Sequence, residues 1–140
     1  MIAFHSEDVS LPKEISDKAT YWINEVINQY GYILDNLTYI FCSDEHILKI
    51  NTDYLDHNYY TDIITFDYCK GKRISGDLFI SIDTVKSNSE IYNFNYTDEL
   101  HRVMIHGVLH LLGFKDASEQ EKLIMRKHED DALSLLATFH

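Results

Sequence analysis

The chain has 140 residues, two cysteines and a formal net charge of −11, and 45% of its residues are hydrophobic. This length predicts one domain, residues 1–140, whose core needs no disulfide framework. The excess of acidic residues argues against broad binding of nucleic-acid backbones, although it leaves room for a local basic patch. No apolar stretch is long enough to span a membrane and the N-terminus does not resemble a signal peptide, so we expect a cytoplasmic protein without a membrane partner.

Helices and strands alternate along the first half of the chain. IAFH predicts a short strand, and the helix that follows would be capped by Ser10, would have Pro12 in its first turn and would end at Gly31. LTYIFCS predicts a strand, and DEHILKINTDYL a helix with acidic residues in its first turn. TDIITFDY and SGDLFISID are two further β-rich segments, joined by CKGKRI with its turn-forming Gly71.

The second half is mainly helical. Short helical segments lead to a helix from about Thr97, and a last helix opens with SEQE, in which Ser118 and Glu121 form a capping box. Interleaved helices and strands of this kind predict a mixed α and β class.

The segment HGVLHLLGFKD, residues 106–116, carries the main functional signal. Because each helical residue turns by about 100°, His106 and His110 lie on one side of the helix, together with Glu99 and Arg102. The opposite side is apolar, so the helix belongs in the core. Composition alone predicts about 0.4 such histidine pairs in the chain, so the pair by itself is weak evidence for a site. A polar stripe on a buried helix is stronger evidence, because unpaired polar groups there would cost a few kcal/mol and a metal would satisfy both imidazoles.

Gly113 and Asp116 complete this interpretation. A glycine can take the left-handed backbone conformation that ends a helix, so the chain can turn back at Gly113 and bring Asp116 towards the two histidines. Two imidazoles and one carboxylate leave a fourth coordination position open, as in catalytic rather than structural zinc sites. We therefore predict one zinc ion, bound by His106, His110 and Asp116.

Gly107 limits the chemistry of such a site. Zinc proteases with the HExxH motif have their general base, a glutamate, at this position. A glycine removes the base and would leave room over the metal for a substrate. The attacking group is then water activated by the metal or, for RNA, the 2′-hydroxyl. Glu99, His101 and Asp77 are the nearby groups that could transfer a proton; His101 faces away from the ligands, and Asp77 fits a structural role better.

These segments together resemble the YbeY family of bacterial rRNA maturation factors. ELHRVMIHGVLHLLGFKD is similar to the family signature of His-Gly, two residues, Leu-His-Leu and then Gly-Tyr-Asp-His. KINTDYL, TDIITF and SGDLFIS resemble three further family segments in the same order, so the resemblance covers nearly the whole chain. It implies an α+β fold with a four-stranded mixed sheet packed by about five helices, the metal-binding helix being in the core.

The resemblance also implies the function. It points to a metal-dependent endoribonuclease that cuts single-stranded RNA, processes the 3′ end of 16S rRNA and serves ribosome quality control. The implied partners are ribosomal RNA and the small ribosomal subunit. The acidic composition adds the expectation of a basic ribosomal protein as a partner.

The chain departs from the family pattern at two places. Asp116 stands where the family usually has a third histidine, and Lys115 replaces the preceding aspartate. A carboxylate ligand lowers the charge of the site, so the metal should acidify water less than three histidines would allow. Leu55 stands where the family generally has an arginine that is thought to serve phosphate binding or catalysis.

Another cation would have to replace that arginine. Arg102, one turn before the first histidine, is the first candidate for a catalytic role, with Glu99 as the second. Lys70, Lys72 and Arg73 form the densest basic cluster and could bind a backbone phosphate, but a solvated hairpin turn explains them equally well.

Two other functions stay open at this point. A non-enzymatic ribosome-assembly factor stabilised by zinc is favoured by Leu55 and by the acidic surface. A zinc-dependent peptidase is suggested by the ligand spacing, and Gly107 argues against it.

Overall fold

The computed structural model describes residues 1–56 and 61–139, and within them it shows four strands and five helices. In chain order these are β1 (Ile2–Ser6), α1 (Asp17–Gln29), β2 (Ile33–Cys42), α2 (Asp44–Leu55), β3 (Ile63–Asp67), β4 (Arg73–Ser81), α3 (Ile82–Ile91), α4 (Tyr96–Leu111) and α5 (Glu119–Leu136). The predicted α+β class is confirmed.

The strands form one mixed sheet in the order β1-β2-β4-β3. β1 pairs with β2, and β2 with β4, in parallel, whereas β3 runs antiparallel to β4 at the edge of the sheet. Gly71, with φ of +57°, supplies the left-handed conformation in the turn between β3 and β4. The start of β3 therefore lies at the open end of the hairpin, opposite this turn, where Ile63 pairs with Ile80.

The two faces of the sheet are covered unequally. The main core lies between one face and α1, α3, α4 and α5, while α2 packs on the other face through a small cluster that includes Ile47, Ile50 and Ile64. Two buried hydrogen bonds tie the main layer together: the Trp22 indole donates to the carbonyl of Ala132 at 2.7 Å, and the Tyr39 hydroxyl donates to a carbonyl of α4 at 2.9 Å.

Helix α4 lies in this core, as predicted. The side that faces away from the histidines is fully buried and consists mainly of Leu100, Met104, Val108 and Leu111. This burial fixes the rotation of α4 about its axis, which in turn fixes the direction in which its polar stripe points.

Two predicted boundaries need correction. Helix α1 begins at Asp17 with Ser16 in the N-cap position, so Ser10 does not cap it and Pro12 is not in its first turn. The chain first makes a separate turn, in which the Ile15 amide donates to the carbonyl of Pro12 at 3.3 Å. Strand β2 begins earlier than LTYIFCS, because residues 33–34 already pair with the start of β4 before a bulge. No helix in the described part of the chain is long and apolar enough to cross a membrane.

Candidate metal centre

Helix α4 presents both histidines to the same point. The Nε2 atoms of His106 and His110 lie 3.0 Å apart. Their separation of four residues places them one above the other on one side of the helix. The burial of the opposite side directs both rings towards the opening between α4 and β3.

A glycine turn brings in the third group. Gly113 has φ of +105°, and the amides after α4 bond back to it: Gly113 donates to the carbonyl of His110 and Phe114 to that of Leu109, both at 3.0 Å. This left-handed ending reverses the chain. Asp116 Oδ2 thereby comes within 3.2 Å of His106 Nε2 and 3.3 Å of His110 Nε2. The predicted convergence of the three side chains is confirmed.

Hydrogen bonds on the outer side of each ring set the ring orientation. The His110 Nδ1–H donates to the carbonyl of Phe114 at 3.0 Å, and the His106 Nδ1–H donates to Glu129 Oε2 at 2.6 Å. Because a carbonyl or a carboxylate can only accept, both Nδ1 atoms carry the hydrogen and both Nε2 lone pairs face inward. Three acceptor atoms thus meet with no hydrogen to share, which is a set that a cation satisfies.

The distances fit a metal ion. Ligands at about 2.0–2.1 Å from a tetrahedral zinc ion are about 3.3 Å from one another. The three ligand atoms here are separated by 3.0, 3.2 and 3.3 Å. The group His106, His110 and Asp116 could therefore hold a metal ion without a change of backbone.

Glu129, on α5, is a site residue that the sequence interpretation missed. Its side chain is only 7% exposed, and its second oxygen, Oε1, accepts a hydrogen bond from Arg102 Nη1 at 2.8 Å. A signal did exist, because Glu129 occupies a buried position in the apolar stripe of α5, together with Met125, Ala132 and Leu136. A charged residue at a core position of an amphipathic helix points to a buried partner.

The contact between Glu129 and His106 shifts the pKa values of both side chains. Burial alone would raise the pKa of Glu129, but the hydrogen bonds from His106 and Arg102 outweigh it and hold the pKa below its ordinary value. Burial alone would lower the pKa of His106, but the hydrogen bond to Glu129 and the nearby carboxylates raise it.

An open cleft of about 560 Å³ adjoins the three ligands and is bordered by α2 and β3. Its described lining consists of His106, His110 and Asp116 with Asn51, Leu55, Thr61, Asp62, Ile63, Ile64 and Thr65, and it contains no lysine or arginine. Leu55 thus lies beside the site. Asp62, which the sequence interpretation also missed, has a pKa raised by burial, an effect that His106 partly opposes.

The prediction that Gly107 leaves room over the metal for a substrate is wrong. A Cβ atom there would meet Ile63 Cδ1 at 2.8 Å and Leu78 Cδ2 at 3.0 Å. The glycine therefore allows close packing of α4 on the sheet, and the space is filled by these side chains rather than left open over the metal.

Arg102 and Glu99 lie one and two turns before His106 on the same side of α4, but neither borders the cleft. Both border a separate cavity of about 740 Å³ between α4 and α5. Arg102 is paired with Glu129 and, at 2.7 Å, with Asp130. The pKa of Glu99 is raised, mainly by burial. His101 packs edge-on against Trp22, away from the ligands as predicted. A direct catalytic role for Arg102 or Glu99 stays a prediction.

The basic cluster lies on the turn between β3 and β4. Lys70, Lys72 and Arg73 are exposed, and Lys72 Nζ sits 4.3 Å from the centre of the Tyr32 ring. The turn is close to the end of α4, since the neighbouring Cys69 thiol lies 3.9 Å from the carbonyl of Leu111. None of the three basic residues borders the metal cleft, and their contact with phosphate stays a prediction.

Fold and site together define a small α+β protein with a His-His-Asp group that could hold a metal ion, on a core helix beside an open cleft. A family model described as Endoribonuclease YbeY matches residues 1–137. The chain belongs to the YbeY family.

Relatives of this chain agree with that assignment. A protein of Phocaeicola vulgatus named Endoribonuclease YbeY is 53% identical over 137 residues, which cover 98% of this chain and 99% of the relative. A protein of the same name from Parabacteroides distasonis is 50% identical over 135 residues, 96% of this chain and 95% of the relative. A solution structure of a Thermotoga maritima protein has a TM-score of 0.69 at 22% identity, covers 97% of this chain and 89% of that protein, and shows the same fold.

Proposed function

We propose that this protein is a metal-dependent endoribonuclease that uses one zinc ion held by His106, His110 and Asp116. The observation that carries the proposal is the meeting of three acceptor atoms at an open cleft, each at a distance suited to a common ion. Two nitrogen ligands and one oxygen ligand suit zinc. The shared name of the 53% and 50% identical relatives supports the nuclease activity.

A cation bound there supplies positive charge that polarises a phosphoryl oxygen and offsets the charge that develops on it. The residues of the chain do the rest. Asp62 is the one carboxylate besides Asp116 in the described lining of this cleft, so we propose that it accepts the proton of the attacking hydroxyl group. We infer that the substrate is single-stranded RNA, whose flexible backbone can bend into this open cleft.

The remaining part of the proposal concerns substrate and location. We infer that the RNA is ribosomal, with the 3′ end of 16S rRNA on the small subunit as the cleaved region, and that the same activity serves ribosome quality control. Lys70, Lys72 and Arg73 would bind backbone phosphates beyond the end of α4. The net charge of −11 suits a basic ribosomal protein as a further contact. A cytoplasmic location follows from such a substrate.

The experiment is cleavage of an RNA fragment that contains the 3′ end of 16S rRNA. We expect the zinc-loaded protein to cut it, His110→Ala to abolish cutting and a chelator to have the same effect. His5→Ala, which removes an exposed histidine far along the chain from the ligands, is the matched control and should retain full activity. Circular dichroism must show that both variants keep the fold.

The same purified proteins test the two alternative functions, a non-enzymatic assembly factor and a peptidase. The family and the names of the relatives do not favour the non-enzymatic assembly factor. RNA binding without metal-dependent cleavage would favour it. The family assignment does not favour a peptidase, and zinc-dependent digestion of casein that requires His106 would be needed to restore that interpretation.

A further inference from the structure

We propose that Glu129 is a positioning residue for the metal centre: it accepts the Nδ1 hydrogen of His106 and so keeps the Nε2 lone pair directed at the ion, while Arg102 keeps Glu129 from turning. This inference rests on the proposed metal site. It assigns to α5, which contributes no ligand, control over the state of one ligand on α4.

Two hydrogen bonds fix the orientation of the Glu129 carboxylate. Oε2 accepts from His106 at 2.6 Å and Oε1 accepts from Arg102 at 2.8 Å, so each oxygen has its own donor. The side chain is 7% exposed, which keeps water from competing for these bonds. Charge-assisted hydrogen bonds of this length are stronger than neutral ones.

The two histidines are held in different ways. His110 donates to the carbonyl of Phe114, four residues further along the same chain segment. His106 depends on a residue 23 positions away on another helix. A carboxylate acceptor also makes the imidazole more basic, and therefore a better ligand, than a carbonyl does. The ordering of His106, unlike that of His110, thus depends on the docking of α5.

Arg102 anchors the network to the protein surface. Its Nη2 donates to Asp130 at 2.7 Å, and Asp130 is 57% exposed. The guanidinium has donors only, so it requires an acceptor at Glu129 Oε1. This requirement fixes which end of an amide side chain at position 129 would face Arg102, and so predicts the effect of glutamine at that position.

In Glu129→Gln one of the two oxygens becomes an NH₂ group. The amide oxygen must face Arg102, because Arg102 cannot accept a hydrogen bond, so the NH₂ group donates to His106 Nδ1. The hydrogen of the imidazole then moves to Nε2, where it blocks the metal. Additional removal of Arg102, in Arg102→Met/Glu129→Gln, lets the amide oxygen turn back to His106 and restores the original tautomer.

The test combines zinc affinity, measured by competition with a chromophoric chelator, with ¹⁵N NMR of the histidine side chains in the metal-free protein. We expect Glu129→Gln to bind zinc about 10–100-fold more weakly. Its His106 should change from the Nδ1–H to the Nε2–H tautomer, and the double variant should recover both properties. Glu119→Gln, on the exposed first turn of the same helix, should change neither.

The inference is overturned if Glu129→Gln binds zinc within twofold of Glu119→Gln and its His106 keeps the Nδ1–H tautomer. A loss of affinity that the double variant does not recover, with no change of tautomer, would also overturn it, since it would show general damage. If the wild-type protein binds no zinc, the proposed function fails; the NMR result then decides the inference alone, the tautomer change supporting it and an unchanged tautomer refuting it.

Discussion

Replacement of Arg102 by methionine distinguishes between two roles for this residue: one half of a buried structural ion pair, or a cation that binds phosphate. Arg102 is paired with Glu129 at 2.8 Å, and the two side chains are 16% and 7% exposed. Loss of one partner of a buried pair costs about 3–5 kcal/mol, because the other charge stays buried. The second pair, with the half-exposed Asp130, adds at most about 1 kcal/mol. His106 remains as a partner of Glu129 and offsets part of the loss, so we expect a decrease of about 2–4 kcal/mol in the free energy of unfolding.

The assay is urea unfolding of the metal-free protein at neutral pH. Lys127→Met is the matched control, because Lys127 forms an exposed 3.9 Å pair with Asp131 on the same helix and should change the free energy by less than about 1 kcal/mol. The Arg102→Met/Glu129→Gln protein should regain most of the lost stability, since no buried carboxylate is then left without a cation. A loss below about 1 kcal/mol in Arg102→Met, accompanied by a higher KM for RNA, would refute this reasoning and favour the phosphate-binding role.

Three further predictions follow from the cleft, the ligands and the sheet. Leu55→Arg places a cation beside the site, in a cleft whose described lining has none, and should raise kcat/KM for RNA cleavage about tenfold, or about 1.4 kcal/mol; an unchanged or lower value would count against phosphate binding at this position. Glu129 helps to raise the pKa of His106 above its ordinary value. Zinc affinity, measured by calorimetry, should therefore fall about tenfold for each pH unit below the pKa of His106 and should level off above it. A flat profile from pH 5 to 8 would exclude His106 as a ligand. Gly76→Ala would place Cβ 2.6 Å from the backbone oxygen of Phe66 and should lower the free energy of unfolding by about 1–3 kcal/mol in a thermal melt; an unchanged Tm would show that β3 can move aside.

The convergence of His106, His110 and Asp116 was predictable because their placement is local. His106 and His110 are four residues apart on a helix whose other side is apolar, and the conformation of Gly113 returns the chain over only a few residues. Helical periodicity and glycine stereochemistry decide such geometry without knowledge of the rest of the fold. The identity of the ion stays a prediction.

Partners from distant segments could not be predicted in the same way. Glu129 and Asp62 reach the site from α5 and from the start of β3, and their approach depends on how these elements pack. Arg102 was placed correctly on the histidine side of α4, but the sequence did not show that α5 covers it. Gly107 was interpreted from the chemistry of proteases, whereas the contact with Ile63 decides its role. Tertiary packing overrides the local interpretation in each case.

The most direct test of the account is X-ray diffraction from crystals grown with excess zinc, with anomalous data collected on both sides of the zinc absorption edge. The account predicts one anomalous peak per chain, about 2.0–2.2 Å from the Nε2 atoms of His106 and His110 and from a carboxylate oxygen of Asp116. It is contradicted if no peak lies between these three side chains, or if the ion is bound there while Asp116 points away.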